Sequence, residues 1–435
     1  MKVIHVHAAG IDVGSRSHYV AVGQDPEDVS EFGVYSRDHQ QMIDWLNERS
    51  VTTIAMESTG NYWQTLFSAL QGAGFEVLLV NGNQIKNVKG KTDVRDCQWI
   101  QRLHSLGLLR GSFLPSADIE KLRHYQRHRN WLVEQCSKMS NKMQKSLRLM
   151  NMRLDVALND IMGKSGRRII ESIIGGERDG EQLASMIDGR VKKSKQEVAA
   201  ALSGEWKEEL LFELRDCFEL YELYQQKMEQ TDEQIALLLQ AMVTPGQECP
   251  DQIRRVQKRH GKNQPRFDLS SLSCAYLGVD LFAIDGVSHT TVSGFISEVG
   301  LDIYKFGSAK RFVNWLRLAP NNKISGGKVL SSRTPKGKHP LGIMLRNAAN
   351  SVGLRKSGTL KSFFNRIAYK KGRAAAITAT ARKLAVIIWN MVVKKQAFAP
   401  LDETTYTQKI RIATIAGIKK KMRKLNLSPS DLAMI

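Results

Sequence analysis

Four carboxylates, Asp12, Glu57, Asp93 and Asp96, are the residues of this 435-residue chain whose types and spacing most directly suggest chemistry. Asp12 closes one apolar run (AAGID) and Glu57 closes another (TTIAME). Asp93 and Asp96 stand three apart at the start of a helical pattern, so both project from one face. Acids at strand ends and on one helical turn converge on a single edge of a sheet. Hard oxygen donors there suit Mg²⁺, which takes few carboxylates and keeps water and substrate phosphate. Two such ions, with Mn²⁺ as a substitute, stabilise both the attacking and the leaving oxygen of a phosphodiester displacement. Taken singly, each acid reads as structural: a turn residue, a strand-end surface acid, a first-turn acid favoured by the helix dipole. The case lies in all four occurring in order on the right elements.

The charge distribution points to the substrate. The net charge is +21, and residues 301–400 hold 21 Lys or Arg against a single acid, Asp302, while the first 300 residues are slightly acidic. A basic excess concentrated over a segment with folded-domain patterning predicts a polyanion partner, nucleic acid before a ribosomal-type or membrane-surface role. No run of eighteen apolar residues exists, and the N-terminus enters a strand pattern directly, which argues against a membrane span or a cleaved signal. Five scattered cysteines without a CxxC read as reduced thiols. A cytoplasmic, nucleoid-associated protein is expected, with no membrane partner.

The elements that must position these groups follow from hydrophobic periodicity. Residues 4–23 read as two strands joined by a Gly-Ser turn, with a third near 30–36. A helix over 38–49 takes Asp38 as its N-cap. Strand 52–57, helix 61–74 and strand 75–81 complete a mixed sheet with helices packed on it. The polar segment 83–92 reads as mobile, and a Thr-capped helix begins at 92. From Pro115 the chain turns helical. Leu122, Tyr125, Arg129, Leu132, Cys136, Met139, Met143 and Met150 form a heptad seam that Arg129 and the missing position 146 weaken. A cleaner seam runs Leu210, Leu214, Cys217, Tyr221, Tyr224, Met228, Thr231, Ile235, Leu238, Met242, which is a coiled-coil signature closing within the chain or across a dimer. A polar linker spans 245–265, two short helices flank a Gly-Val turn in 284–300, and helices at 308–316 and 341–353 flank a loop over 319–340. A long helix covers 373–394 and a basic tail with a helical segment follows from 401. The domains expected are thus 1–112, 113–244, 245–400 and 401–435. The GIDVGS run also suits the first phosphate loop of an actin-like ATPase, but no second phosphate turn or adenosine loop follows it.

These residues resemble the DEDD transposases of bacterial insertion sequences, relatives of the Piv invertase that act as RNA-guided (bridge RNA) recombinases. The N-terminal resemblance rests on Gly10-Ile11-Asp12-Val13 with His18, Glu57 through Tyr62, Gly74, Val80-Asn81, and Lys91-Thr92-Asp93 with Asp96. The C-terminal one rests on Gly286-Val287, Glu298, Gly300, Phe306, Phe312, Leu318-Ala319-Pro320, Ser325-Gly326-Gly327-Lys328, Lys336-Gly337, Leu341, Leu345 and Ala348-Ala349. The resemblance implies an α/β RNase H-like (RuvC-like) N-terminal domain, a helical coiled-coil arm, and a mainly α-helical basic C-terminal domain. It implies Asp12, Glu57, Asp93 and Asp96 as metal ligands and a nucleophilic serine, Ser325 by motif, that links covalently to DNA. It also implies a non-coding guide RNA pairing with element-end and target DNA, and a dimer or tetramer whose catalytic halves come from different subunits. Gly82 stands where the family often has Pro, Cys97 where it often has Ala, Arg317 where Gly is usual, and Gly342 where Arg is usual.

A serine hydroxyl needs a base or a metal to become a nucleophile. Ser325 lies among Lys323, Lys328, Arg333, Lys336 and Lys338, cations suited to holding a phosphate, with Arg346 one turn beyond the missing arginine. Ser331 and Ser332 share the loop and remain alternatives, and His339 is near in sequence. Three functions are therefore open: the recombinase, a metal-dependent nuclease or resolvase using water, and a non-enzymatic nucleic-acid scaffold with structural acids.

Overall fold

The computed structural model describes residues 2–85, 92–246, 261–337, 339–400 and 403–425. Lys91, Lys338, Cys249, most of the expected polar segment at 83–92, most of the linker at 245–265 and the last ten residues of the basic tail lie outside these. The chain divides into two units, Met1–Leu114 and Pro115–Ile435.

The first unit is built on a mixed five-stranded sheet of order β3-β2-β1-β4-β5, consistent with an RNase H-like α/β domain. β1 (Ala8–Val13), β2 (His18–Ala21) and β3 (Val29–Phe32) form an antiparallel meander, while β4 (Thr53–Glu57) and β5 (Glu76–Val80) run parallel to β1. Alternation along the strands sorts the side chains between two faces. Ile11, Val13, Ile54 and Met56 meet Met42 and Leu46 of α1 (Ser36–Glu48) and Leu66 and Leu70 of α2 (Trp63–Gly72). Each such buried side chain contributes about 1.5–3 kcal/mol. Ala55 and Val80 meet Ile100 of α3 (Asp93–Ser105) on the other face. One detail differs from expectation. Asp38 is not the N-cap of α1 but its third residue, and its carboxylate accepts from the Tyr35 N–H at 3.0 Å.

The second unit begins with α4 (Ala117–Leu149) and returns along α9 (Glu208–Ala241) after α5 (Leu154–Ala157), α6 (Lys164–Ile174), α7 (Gly180–Ser185) and α8 (Lys195–Leu202). The two long helices pair antiparallel within the chain: Arg129 meets Asp232, Cys136 meets Gln225, and Ser146 meets Glu213. Of the expected second seam, Leu214, Cys217, Tyr221, Met228, Thr231 and Ile235 are buried, but Leu211, Gln225 and Leu239 replace Leu210, Tyr224 and Leu238. The buried face thus keeps the seven-residue repeat, Leu211, Gln225 and Leu239 each lying one residue beyond the expected position. Arg129 is not a weak point. It lies buried with Asp232, and both Arg129 and the Arg266 N–H donate to that carboxylate.

The rest of the unit comprises α10 (Leu269–Leu277), α11 (His289–Glu298), α12 (Ala309–Trp315), α13 (Pro340–Leu354), α14 (Thr359–Lys371), α15 (Arg373–Lys394) and α16 (Glu403–Lys424), with α12, α13 and α14 packed on α15. α11 follows the Gly-Val turn, a 3₁₀ turn over Leu281–Ala283 precedes it, and a second 3₁₀ segment over Gly300–Phe306 continues α11. Among the described residues α15 is the one helix long and apolar enough to cross a membrane by length and composition. Its Ala376, Ala381, Leu384, Ile388 and Val392 are buried in this unit, as a core helix requires. The segment 319–340 is not a plain loop. It contains a hairpin of β6 (Lys323–Ser325) and β7 (Lys328–Ser331). Short strands with exposed residues on both faces leave no burial periodicity to read.

Candidate functional site

In the first unit, backbone proximity gathers the acids. A Cβ on Gly10 would lie 2.2 Å from the Gln101 nitrogen and 2.5 Å from the Cys97 carbonyl oxygen, so only glycine lets α3 lie this close to β1. The helix runs opposite to the strand: Ser105 accepts from the N–H groups of Ile4 and His5, and Gln101 donates to the Ala8 carbonyl. The first turn of α3 therefore reaches the carboxyl end of β1. Thr92 caps that turn by accepting from the Arg95 N–H at 3.3 Å.

Asp12 shares its strand face with Gly10, the face that carries α3. Glu57 shares its face with Ala55 and with Thr53, which is hydrogen-bonded to His104 of α3 at 2.9 Å. The parallel register pairs Ile11 with Met56, which brings Asp12 and Glu57 to neighbouring positions on adjacent strand ends. Asp12, Glu57 and Asp96 are half-buried and Asp93 is exposed. Cys97, buried beneath this edge, has its thiol pushed up to about 12 by burial, with the charges of Asp12 and Asp96 adding to the effect. The structure thus brings the four acids to one edge. Among the described residues, however, no three His, Cys, Asp or Glu side chains come close enough to hold a metal ion. The donor set is all hard carboxylate oxygen, which fits Mg²⁺ in kind.

Two further residues join this edge: Tyr19, which sequence reasoning passed over, and Gly82, which it marked only as a departure from the family. Tyr19 pairs directly with Asp12 on β2. Its phenol is held above its ordinary range by a hydrogen bond to Glu31, by slight desolvation and by the charges of Glu31 and Asp93. Alternation within HYVA carried the signal, since His18 and Val20 face the core. Gly82 is the second: it is in the site, not merely adjacent to it, because a Cβ there would lie 2.2 Å from the Glu57 Oε1. His18, although part of the family resemblance, faces the opposite side. It is buried beside His39 of α1, and its imidazole is lowered to about 4 by burial and then by His39.

In the second unit Ser325 ends β6, paired with Lys328, and Gly326 and Gly327 make the two-residue turn with φ of 53° and 73°. Two successive positive φ values match the turn whose twist suits a hairpin, which is why both positions are glycine. Ser325, Lys323, Lys328, Arg333 and Lys336 are exposed. Ser331 is half-buried, and its Oγ accepts from the Arg333 N–H. The hairpin base is tied by Asn321 N–H donating to the Arg333 carbonyl at 2.9 Å. Arg317 donates to the Lys336 carbonyl, and Arg346 spends its guanidinium on the carbonyls of Arg317 and Gly342. Arg317 sits at φ 57°, which explains why glycine is usual there. A Cβ on Gly342 would lie 2.6 Å from the Leu316 carbonyl oxygen, so this chain has no room for the usual arginine. His339 caps α13 through Nδ1 and packs edge-on against Trp315. Burial, followed by Arg317, Arg123 and Arg127, lowers it to about 4, so it is neutral at pH 7.

An N-terminal α/β unit with an acidic edge and a basic helical unit with an exposed serine hairpin describe a nucleic-acid-cutting enzyme. Residues 9–152 match a family model described as Transposase, that of the DEDD transposases of IS110 elements, and residues 280–365 match one described as Transposase IS116/IS110/IS902 family. The chain belongs to the DEDD transposases of the IS110 family and is a DNA transposase/recombinase. Comparison with curated proteins gives no match.

Proposed function

We propose that this transposase is an RNA-guided recombinase that holds Mg²⁺ on Asp12, Glu57, Asp93 and Asp96 and attacks DNA with Ser325. The observation that carries the reading is the Gly10 contact, which lays the first turn of α3, with Asp93 and Asp96, along the carboxyl ends of the strands that bear Asp12 and Glu57, in a chain that also exposes a serine among cations. The family normally uses divalent metal ions, and bound Mg²⁺, as two ions, supplies charge stabilisation at the attacking and leaving oxygens. Lys323, Lys328, Arg333, Lys336 and Lys338 hold the phosphate by charge-assisted hydrogen bonds. Arg346 acts one step back, by fixing the backbone at the hairpin base.

The Ser325 Oγ bonds to the scissile phosphorus, the bond to one sugar oxygen breaks, and the serine proton passes to solvent or to that leaving oxygen. The phosphoserine link conserves the phosphodiester. Attack by a sugar hydroxyl of the exchange partner then re-forms a DNA phosphodiester and returns the serine. A guide RNA selects element-end and target DNA by base pairing, and a dimer or tetramer supplies both halves of each site. Residues 1–112 form the metal domain, 113–244 the arm, 245–400 the serine domain and 401–435 a basic tail.

The test is trapping on labelled element-junction DNA with the flanking RNA and Mg²⁺, for wild type, Ser325→Ala and Asp93→Asn. An adduct lost in both variants is expected. An adduct persisting in Ser325→Ala moves the nucleophile to Ser331 or Ser332. Cleavage with no adduct, abolished only by Asp93→Asn, leaves a water-using nuclease.

A further inference from the structure

At the base of the serine hairpin the second unit holds an open groove of about 930 Å³ that the chemistry above touches only at its rim, at Ser332 and Arg333. Its walls are the strand exit Ser332–Thr334, one face of α14 and one face of α15. Four cations line it, Arg333, Lys371, Arg382 and Lys383, and no carboxylate does among the described residues. Between them the floor consists of small residues of α15, Ala374, Ala375, Thr378 and Ala379, flanked by Leu318, Pro320 and Ile367. One of the four, Lys383, is placed by packing 4.5 Å from the ring centroid of Phe363, which also lines the groove, and Arg366, outside the groove, lies 5.5 Å from the same ring. Lys383 is half-buried, and desolvation followed by Arg366 lowers its ammonium below the usual range.

A track for duplex phosphates needs cations alone. Here small apolar residues and one aromatic ring, Phe363, line the groove together with the cations, which suits a base face whose backbone runs along a charged groove. The volume falls within the range of sites for small ligands, room for one or two nucleotides and too little for a duplex. Ser325 pairs with Lys328, four residues before Ser332, so the groove opens about 13 Å along the strand from the serine.

We propose that this groove takes one or two unpaired nucleotides of the DNA strand attacked by Ser325, with phosphates on Arg333, Lys371 and Arg382 and a base against the alanine floor. The placement of that strand rests on the recombinase reading; the groove's preference for unpaired DNA does not. Capture there would keep the cut strand from re-pairing before exchange.

The experiment measures binding of the full chain to a labelled twelve-nucleotide oligodeoxythymidylate and to a twelve-base-pair duplex, for wild type, Ala379→Trp and Arg382→Ala. Ala379→Trp fills the floor and is expected to weaken single-strand binding about tenfold, within the range of one lost base contact, while duplex binding stays within about twofold. Arg382→Ala, at an exposed position, is expected to lower the salt-dependence slope for the single strand by about 0.7. Wild-type single-strand binding in Ala379→Trp, equal losses for strand and duplex, an unchanged salt slope in Arg382→Ala, or an effect confined to the same sequence as RNA would each overturn the proposal. Ser325→Ala is expected to bind the oligonucleotide normally. A groove effect without any serine adduct would sink the serine mechanism alone; an adduct with normal binding in the groove variants would sink the groove alone.

Discussion

The two units hold their chemistry in opposite ways. The acids of the first are fixed by backbone packing: Gly10 brings α3 against β1, Thr92 caps its first turn, and the parallel register sets Asp12 beside Glu57. Ser325 of the second stands on a two-stranded hairpin whose Ile324, Val329 and Leu330 are bare, and an isolated hairpin of that kind is marginal in water. On the proposed reading the acids are metal ligands, which must hold a mutual geometry before substrate arrives and so belong on the core. The proposed nucleophile has to reach a phosphate on a large substrate and so suits a projecting element, held at its base by Arg317 and Arg346.

The contrast is between hairpin and scaffold, not between a loose unit and a firm one, and the largest expected effect tests that. Asp232→Ala leaves Arg129 buried and unpaired, so chemical denaturation is expected to show a loss of about 3–5 kcal/mol. A loss under 1 kcal/mol would mean that the helical scaffold is as loose as the hairpin it carries. Next, Asp12→Asn is expected to lower Mg²⁺-dependent strand cleavage at least about a hundredfold, some 2.7 kcal/mol, with an unfolding midpoint near wild type. Unchanged cleavage would make the acidic edge structural.

Acid should loosen the first unit through its buried imidazoles. His18 and His104 are lowered to about 4, burial being the main cause in each. Both are neutral when folded and take up protons near pH 6.5 when unfolded. Their contribution is therefore full above pH 6.5 and is lost as pH falls from there towards 4, about 3 kcal/mol for each. Protection of the β1 and β2 amides in the full chain, taken relative to the intrinsic exchange rate at each pH from 7 to 4.5, is expected to fall steeply, and less so in His104→Gln. A flat profile would remove the linkage.

Gly10→Ala sharpens the comparison further. Forcing α3 away from β1 is expected to cost about 1–3 kcal/mol and to reduce cleavage by more than that loss of stability explains; stability and activity falling in step would argue against a positioning role. The smallest effect is expected at Ile324→Ser, within about 0.5 kcal/mol in denaturation, because the side chain meets solvent. A large loss there would show the hairpin to be part of the core.

Much of this was legible in the chain. The strand-strand-strand-helix-strand-helix-strand order, the Thr92 cap and the acids' places at element ends follow from local periodicity and capping, which act over a few residues. Many residues of the C-terminal resemblance are core: Phe312, Leu318, Leu341, Leu345 and Ala349 are buried, and Gly300, at φ 50°, leaves room for Ile119 and Tyr276. Such residues record how the unit packs more than what it does. The hairpin was missed because its residues are exposed on both faces, and Arg129 was misjudged because its partner lies more than a hundred residues away.

Sequence alone determined the class of enzyme, the order of elements in the first unit and the concentration of basic charge after residue 300, since composition, spacing and local propensity are properties of short stretches. Tertiary structure decided that Gly10 and Gly82 shape the acidic edge, that Tyr19 joins it, that the long helices close on each other, and that Arg346 serves the backbone. Each of these depends on which distant backbone comes within touching distance, and no short-range pattern in a chain encodes that.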